Sequence, residues 1–286
     1  MLVVTGATGR LGSRIVERLL ERVPAGEIGV SVRDPAAASG LAARGVRVRR
    51  GDFTDPSSLV HAFEGAERVL VVSAAIRGEG AVAANLAAID AARAAGASRI
   101  LYTSHQAAAP DSLFAPQLTH AATEAHLLAQ GVPFTALRNG FYASTLGMYL
   151  GGVAETGRLV APEDGPVSWT DHADLAEIAA VALAEPGTFE GITPPLTAPV
   201  ALDLADVAAL AAEILDRPVE RIVVGDEEWK ATAVANGMPP FAADFTLGMF
   251  RAARRGEFAA TDPALETVLG HPAVPVRTVL EGLLRG

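Results

Sequence analysis

Three glycines near the start of the chain have the spacing that a phosphate-binding turn requires. Gly6, Gly9 and Gly12 form a Gly-x-x-Gly-x-x-Gly pattern in "VVTGATGRLGSRIVERLL", between a strand-like apolar run and an amphipathic helical run. The first glycine permits a tight turn, the second lets a pyrophosphate approach the backbone, and the third lets helix and strand pack closely. Free amides at the helix start would face the phosphates. Because a strand precedes the pattern and a helix follows it, we predict a dinucleotide site rather than a merely structural turn.

Arg33 follows the second apolar run, where the choice between two dinucleotides is usually made. An acidic residue here holds the ribose hydroxyls of NAD, whereas an arginine accommodates the 2′-phosphate of NADP. Asp34 comes next, so NADPH is favoured but NADH stays open, and Arg33 could also be a solvated strand-end charge. Arg10, inside the glycine turn, is a second candidate phosphate contact. Asp52 is assigned to the adenine edge, and Asp55 to the cap of the next helix.

A histidine and a glutamate lie four residues apart in "QLTHAATEAHLL" (117–128). His120 and Glu124 should share one face of a helix. They either border the nicotinamide or the substrate, or form an ordinary i,i+4 pair. A metal site is disfavoured because no further convergent ligands are apparent. The chain has no cysteine, which excludes disulfides and thiolate chemistry.

The same stretch is where a short-chain reductase would carry its proton-donating Tyr-x-x-x-Lys pair, and no such pair exists in this chain. Lys230 is the one lysine, and none of Tyr102, Tyr142 and Tyr149 is followed by lysine at this spacing. Hydride addition to a ketone gives an alkoxide that needs an enzyme acid, since its basicity resembles that of hydroxide (the pKa of water is about 15.7). Hydride addition to a quinone gives a phenolate, which takes its proton from water because phenols have a pKa of about 10. The sequence therefore predicts acceptors that stabilise their own negative charge.

Short apolar runs alternate with helical patterns through the first 140 residues, which predicts a doubly wound parallel sheet, a Rossmann-like α/β fold. The predicted strands cover residues 1–5, 28–32, 46–48, 68–74, 99–104 and 133–138. The predicted helices cover residues 13–22, 55–65, 81–96 and 172–187. We expect a nucleotide-binding domain at 1–140, with 141–184 partly packing back on it. The proline-rich segment 185–199 suggests a crossover or boundary, and a smaller substrate-side lobe is expected at 185–286.

Composition limits the partners. The chain has 286 residues and a net charge of −10, which argues against nucleic-acid binding. The arginines of "RGVRVRRGD" (44–52) are read as a solvated strand face. No apolar run is long enough to span a bilayer. Because "MLVVTG" enters a strand at once, leaving no room for a signal segment, a cytoplasmic protein is expected, with a small-molecule partner, as a monomer or homodimer.

Several motifs together resemble the NmrA-like branch of the atypical short-chain dehydrogenases, and within it the NAD(P)H:quinone oxidoreductase type 2 group. They are "TGATGRLG", "VRDP", "LYTS", "GVPFTALRNGFY", "LGHP" and the His-x-x-Thr-Glu of 120–124. The resemblance runs nearly end to end. It implies NADPH in the cleft between a Rossmann domain and a small C-terminal lobe, and quinone-like or other electron-poor acceptors. The main alternative function is a non-catalytic regulator that senses NAD(P). A scaffold protein with a vestigial glycine turn is the least favoured alternative.

The resemblance also implies roles for individual residues. The pyrophosphate loop would comprise Gly6, Thr8, Gly9, Arg10, Leu11 and Gly12, with Arg33 at the 2′-phosphate. Ser73 and Ala74 would pass beside the ribose. The nicotinamide and substrate wall would comprise Thr103, Ser104, His105, Asn139, Gly140, Phe141 and Tyr142. The candidate catalytic residues are His120, Ser104 and Tyr142. The chain departs from near relatives in "AAIRGEG" (74–80) and "SHQAAAPDSLFAP" (104–116), which are expected to line the pocket and to alter the substrate.

Overall fold

A seven-stranded parallel sheet forms the centre of the computed structural model, which describes residues 1–76, 78 and 80–285. Its strands are β1 (Leu2–Thr5), β2 (Ile28–Val32), β3 (Arg47–Arg50), β4 (Arg68–Val71), β5 (Arg99–His105), β6 (Phe134–Asn139) and β10 (Gly191–Ile192). The spatial order is β10-β6-β5-β4-β1-β2-β3. The Rossmann-like prediction is confirmed, and all six predicted strands are present. The order reverses between β1 and β4, so a ligand crevice is expected beyond their carboxyl ends.

β4 is shorter than its apolar run suggested. It ends at Val71, whereas the sequence predicted a strand to residue 74. Beyond Val71, side-chain hydroxyls of neighbouring strands replace backbone carbonyls as acceptors of the backbone hydrogen bonds. The Val72 amide donates to Thr5 Oγ1 (2.9 Å), and the Ser73 amide donates to Thr103 Oγ1 (2.8 Å). The sheet therefore separates at the reversal point while its backbone amides stay satisfied.

Helices cover both faces of the sheet. The ones that precede residue 140 are α1 (Arg10–Leu20), α2 (Ser39–Ala43), α3 (Pro56–Phe63), α4 (Gly80–Ala94) and α5 (Ala115–Ala129). Short 3₁₀ turns cover Ala25–Glu27 and Pro35–Ala38. α1 begins three residues earlier than predicted, inside the glycine pattern, so its first turn belongs to the phosphate-binding turn. No helix within the described ranges is long and apolar enough to cross a membrane.

A second core lies beyond the carboxyl end of β6 and is built around Trp169, Phe250 and Phe258, all of them buried. Its strands are β7 (Phe141–Tyr142), β8 (Arg158–Pro162), β9 (Trp169–Thr170) and β11 (Glu220–Val224). The helices of the remaining chain are α6 (Val153–Thr156), α7 (His172–Ala184), α8 (Leu204–Leu215), α9 (Asp226–Ala235), α10 (Pro240–Arg254), α11 (Ala264–Leu269) and α12 (Val276–Arg285), with a 3₁₀ turn at Ala143–Met148.

The chain passes between the two cores more often than a single boundary would require. α7 packs against α1, and β10, from the predicted boundary segment 185–199, adds the seventh strand beside β6. Leu265 of α11 and Ala273 also belong to the sheet core. The division at residue 185 stays a prediction, although these later segments pack with the nucleotide-binding body.

The arginines of β3 are less solvated than predicted. Arg47 donates to the carbonyl oxygens of Glu64 (2.7 Å) and Ala62 (3.2 Å), and Arg49 donates to that of His61 (2.6 Å). These are carbonyls at the C-terminal end of α3, which a helix leaves without internal partners. The basic run therefore caps a helix.

Gly12 offers a direct test of the packing between α1 and β1. A Cβ atom at Gly12 would lie 2.2 Å from the Gly6 carbonyl oxygen, which is backbone and cannot rotate away. We expect Gly12→Ala to lower the free energy of unfolding by about 1–3 kcal/mol, the usual cost of overpacking, as measured by urea denaturation. Gly225→Ala is the control, because Gly225 has φ −66° and open space around its Cβ position. Equal stability of the two variants would contradict the tight packing.

Candidate cofactor and acceptor site

The glycine turn has the geometry of a phosphate cradle. Gly6 has φ +62°, and its amide donates to the Ser31 carbonyl of β2 (3.2 Å). The Gly9 amide donates back to the Gly6 carbonyl (2.9 Å), which closes the turn. α1 starts at Arg10 with no side-chain cap on its N-terminus. Its first-turn amides are therefore left for an external anion, as the pattern predicted.

Positive charge flanks this turn. Arg10, Arg14 and Arg33 are exposed, and the guanidinium group of none of them makes a hydrogen bond or ion pair within residues 1–76, 78 and 80–285. Unpaired guanidinium groups beside a helix N-terminus suit phosphate. Thr8 is exposed at the turn, whereas the Leu11 side chain is buried in the sheet core, so only its main chain could face a cofactor.

The two aspartates after β3 have local roles. The Asp52 carboxylate accepts hydrogen bonds from the Thr54 amide (2.9 Å) and hydroxyl (2.8 Å), which lower its pKa. The charge of Arg33 acts in the same direction, so the two residues are close enough to interact. Asp55 stands at the predicted N-cap position of α3, but its carboxylate accepts from the Ser57 hydroxyl (2.7 Å). The adenine role of Asp52 stays a prediction.

Ser73 and Ala74 lie beside the crevice in the segment that follows β4. The Thr103 hydroxyl donates to Ser73 Oγ (3.3 Å), and the Ala74 amide donates to Asn85 Oδ1 of α4 (2.9 Å). Both residues are thus fixed from neighbouring elements, which suits a wall beside a ribose. Residues 77 and 79 of the divergent segment 74–80 lie outside the described residues.

The end of β6 carries a buried amide that the protein does not use. Asn139 is 1% exposed, and neither polar atom of its side chain has a partner of hydrogen-bonding geometry, although it lies beside the Tyr142 hydroxyl. Both of its polar atoms are enclosed by the protein, so the predicted contact of Asn139 with the cofactor stays a prediction. Gly140 is required by packing, since a Cβ atom there would lie 2.1 Å from Thr170 Oγ1.

Tyr142 packs on His172, the first residue of the helix predicted at 172–187. The rings of Tyr142 and His172 lie 4.3 Å apart between centroids. Burial raises the pKa of Tyr142 and lowers that of His172, and the charges of Arg14 and Arg10 lower the His172 pKa further. His172 therefore lies near the glycine turn. Asp171 caps α7 by accepting from the Ala173 amide (2.7 Å).

Glu124 forms a buried ion pair. It is 4% exposed and receives two hydrogen bonds from the Arg138 guanidinium, at 2.9 and 2.7 Å. The Ser104 hydroxyl donates to the same carboxylate (2.7 Å). Ser104, proposed as catalytic, therefore has its proton directed to Glu124 and away from an acceptor. A bidentate pair between α5 and β6 also fixes the position of α5 over the sheet.

His120 lies on the same face of α5 as Glu124, as predicted, but binds a different partner. Its Nδ1 and the Tyr102 hydroxyl are 2.8 Å apart. Burial lowers the pKa of His120 to about 4, so the ring is neutral near pH 7. The pair is thus no ordinary i,i+4 contact, since each residue binds the sheet instead of the other. Within the described ranges, no group of histidine and carboxylate residues could hold a metal ion.

Aromatic rings close the site from the second core. Phe141 packs edge-on against His105 (5.3 Å), Phe258 (5.1 Å) and Trp169 (5.3 Å). Trp169 is 2% exposed and donates its indole N–H to a backbone carbonyl, so it supports Phe141 from beneath. Such a wall suits a flat, conjugated acceptor.

The divergent loop 104–116 is fastened to the second core. The Gln106 side chain donates through Nε2 to the Phe258 carbonyl (2.9 Å). The Ser112 hydroxyl and the Leu113 amide both donate to the Glu257 carboxylate. This loop therefore joins the two bodies, and its place in the pocket lining stays a prediction.

The sequence did not identify Asn85, Arg138 and His172 as parts of the site. It drew attention to Tyr102 only because no lysine follows it at the Tyr-x-x-x-Lys spacing. Asn85 was hidden in an alanine-rich helical run, and Arg138 was seen only as part of a family motif. A polar residue in an otherwise apolar buried strand or helix was the signal available, because such a residue needs a partner.

Comparison with known proteins agrees with this geometry. Residues 1–272 match the NmrA-like family. Quinone oxidoreductase 2 of Escherichia coli is 33% identical over 275 residues, covering 95% of this chain and 94% of the relative. The NAD(P)H azoreductase of Xenophilus azovorans is also 33% identical over 275 residues, covering 96% of this chain and 94% of the relative.

Solved structures give the same result. The E. coli NADPH-dependent quinone oxidoreductase in complex with NADPH superposes with a TM-score of 0.93 at 31% identity, covering 99% of each chain. The triphenylmethane reductase of Citrobacter sp., in complex with NADP(H), also has a TM-score of 0.93 at 31% identity, covering 99% of this chain and 100% of that one.

Gly9 tests the phosphate cradle separately from the fold. A Cβ atom there would lie 3.2 Å from the Gly6 carbonyl oxygen, a contact that a small shift can relieve. We expect Gly9→Val to abolish dinucleotide binding in calorimetric titration while the protein stays folded, because the side chain would occupy the place of the pyrophosphate. Gly26→Val, at a site with open space, should bind normally. A folded Gly9→Val protein with unchanged affinity would rule out this cradle.

Proposed function

Since the chain belongs to the NmrA-like family, we propose that it is an NADPH-dependent reductase of quinones or similar electron-poor conjugated acceptors. The observation that carries the proposal is that the polar groups of the cleft are poor acids. The Ser104 proton points to Glu124, His120 is neutral because burial lowers its pKa to about 4, and burial raises the pKa of Tyr142. Such a site favours acceptors whose reduced form needs no enzyme acid.

The residues present fit NADPH. The uncapped start of α1 and the exposed Arg10 and Arg33 suit its phosphates. NADPH supplies a hydride, which converts a quinone to the hydroquinone anion, and this anion then takes one proton from water. The chain's part is to hold both reactants in contact and to shape a pocket from which bulk water is displaced.

The aromatic wall supports the acceptor class. Phe141, supported by Trp169 and flanked by His105, presents a rigid edge to a planar ring. The two relatives described above are named a quinone oxidoreductase and an azoreductase, and both names denote acceptors with conjugated double bonds. The NAD(P)-sensing alternative predicts tight NADP binding without turnover, so NADPH oxidation against an acceptor panel separates the two. Cytoplasmic location and a monomeric or homodimeric state stay predictions from the sequence.

Arg33 should set the preference for NADPH over NADH. A charge-assisted contact to phosphate contributes roughly 1.5–3 kcal/mol, so Arg33→Ala should weaken NADPH binding about tenfold or more and leave NADH binding nearly unchanged. Fluorescence titration of each cofactor measures this. Arg18→Ala is the matched control, since it removes the same charge from a residue already paired with Glu21 (3.0 Å). Equal weakening of both cofactors would give Arg33 a structural role and make Arg10 the better candidate.

The acceptor class can be tested by turnover. Quinones should be reduced and unactivated ketones should be very poor substrates, because the chain lacks a Tyr-x-x-x-Lys pair. His120→Ala should lower quinone turnover only modestly, since water protonates the product. General acid catalysis contributes about 10²–10⁴-fold where it is essential, so a loss of that size with NADPH binding intact would identify His120 as the proton donor. Efficient reduction of a simple ketone by the unmodified protein would refute the proposed acceptor class.

A further inference from the structure

His105, the last residue of β5, has a fixed pattern of protonation. Its Nδ1 accepts a hydrogen bond from the Ala107 backbone amide (3.3 Å). A backbone amide can only donate, so Nδ1 carries a lone pair. In the neutral ring the proton must then be on Nε2. Burial, together with the nearby His120, lowers the pKa of His105 well below its usual value, which keeps the ring neutral.

His120 belongs to a longer chain of hydrogen bonds that also starts at a backbone amide. The Ala74 amide donates to Asn85 Oδ1 (2.9 Å), which orients the Asn85 side chain. Asn85 Nδ2 therefore points at the Tyr102 hydroxyl and donates to it (3.1 Å). Tyr102 keeps its proton, because burial raises its pKa. Its proton has two acceptors within reach, the Thr123 hydroxyl oxygen and His120 Nδ1 (2.8 Å). Directed to His120, it places the proton of His120 on Nε2.

A side branch supports this orientation. Asn85 Nδ2 also lies 3.5 Å from the Thr123 hydroxyl oxygen. Thr123 directs its own proton to the Thr119 carbonyl (2.8 Å), so its oxygen can only accept from Asn85. Rotating the Asn85 amide by half a turn would set donor against donor at Ala74 and acceptor against acceptor at Thr123. The orientation of the Asn85 amide is therefore fixed, and in the proposal that follows the Tyr102 proton is donated to His120.

The two Nε2–H groups have no protein acceptor. Within the part of the chain that the structure describes, neither nitrogen makes a hydrogen bond, and neither is among the fully buried atoms left without a partner. The rings lie 6.1 Å apart between centroids, at the carboxyl end of β5 where Phe141 and Phe258 pack on His105. The protein thus holds two neutral donors, available to a ligand, at the place where the acceptor is expected.

We propose that His105 and His120 form a two-donor site for oxygen on the acceptor, with their Nε2–H groups fixed by the Ala107 amide and by the Asn85–Tyr102 chain. This rests on the proposed function, because it takes the acceptor to be a quinone or another conjugated carbonyl compound. As hydride arrives, negative charge develops on oxygen, and donors that are already oriented stabilise it without reorganisation. The donors keep their protons, and the product anion is protonated by water. Tyr102 and Asn85 act as positioning residues.

The same tautomers argue against metal binding by this pair. A metal ion needs a lone pair on the nitrogen that faces it, whereas both outward nitrogens carry protons. A site that binds an oxygen anion therefore requires a protonated Nε2, whereas a site that binds a metal cation requires an unprotonated Nε2.

Nitrogen NMR of the NADP⁺ complex, labelled with ¹⁵N-histidine, reads these states directly and does not depend on turnover. The signals of His105 and His120 are assigned by their loss in His105→Gln and His120→Gln proteins. Near neutral pH both residues should show a protonated Nε2 and an unprotonated Nδ1. A proton on Nδ1 of either ring, or a charged ring, would overturn the proposal while leaving the reductase function intact.

The second arm measures anion binding with 4-nitrophenol, whose coloured anion resembles a reduced quinone. It should bind the NADP⁺ complex as the anion. A hydrogen bond to a charged acceptor is worth about 1.5–3 kcal/mol, so His105→Leu and His120→Leu should each weaken binding about 12- to 150-fold. Failure of 4-nitrophenol to bind, or unchanged binding in both variants, would overturn the two-donor site.

Tyr102→Phe tests the positioning role, with Tyr149→Phe as its control. Tyr149 is also a buried tyrosine, but its hydroxyl contacts Met249 in the second core (3.2 Å). Tyr102→Phe should mix the His120 tautomers and weaken 4-nitrophenol binding about 2- to 12-fold with NADPH affinity unchanged, and Tyr149→Phe should change neither. Equal loss of NADPH and 4-nitrophenol binding in Tyr102→Phe would indicate a merely structural tyrosine. If the protein proves not to reduce quinones, the NMR and binding results still decide the site.

Discussion

The buried carboxylate of Glu124 fixes the positions on which the site depends. A charged group that is 4% exposed is costly unless it is paired, and here Arg138 supplies a bidentate partner from β6 while Ser104 donates from β5. Together they tie α5 to two neighbouring strands. His120 lies one helical turn before Glu124, so the ion pair determines where its ring can reach. Loss of Arg138 alone would leave a buried charge, which is far more damaging than the loss of an exposed ion pair.

The same arrangement narrows the chemistry. In a ketone reductase, a serine at the end of this strand and a tyrosine on this helix would give hydrogen bonds and a proton to the substrate. Here the serine proton is directed to Glu124 and the helix carries a neutral histidine. The aromatic wall around Phe141 and the loop fastened through Glu257 add no acid to the candidate site. What remains is a rigid surface that brings two planar reactants together, with neutral donors to stabilise the product anion.

The sequence predicted the parts that depend on local patterns. Six strands and the glycine turn follow from apolar runs and glycine spacing, and Gly12 is explained by a single backbone contact. β10 has two residues and no apolar run of its own, so it could not be predicted. β4 was predicted to be longer than it is because its apolar run continues beyond Val71, where side-chain hydroxyls replace the neighbouring backbone as hydrogen-bond acceptors.

The hydrogen-bond and ion-pair partners within the site could not be predicted from the sequence, for a physical reason. The spacing of His120 and Glu124 gave their common helix face, but helix periodicity does not say which strand residues lie opposite. Tyr102 and Arg138 stand at those positions only because β5 and β6 pair in one register. Asn85 is a single polar residue in a run of alanines, and its role depends on the orientation of one amide. The resemblance to a family supplied the wall residues, while the bonds between them required the fold.

The central claim is that hydride transfer needs no proton from the enzyme. Single-turnover measurement of NADPH oxidation by a quinone, with 4-deuterated NADPH and separately in D₂O, tests it most directly. We expect a clear slowing with deuterated NADPH and none in D₂O, because protonation follows hydride transfer. A comparable slowing in D₂O would mean that an enzyme group transfers a proton in the same step, and absence of NADPH oxidation would refute the proposed reductase activity.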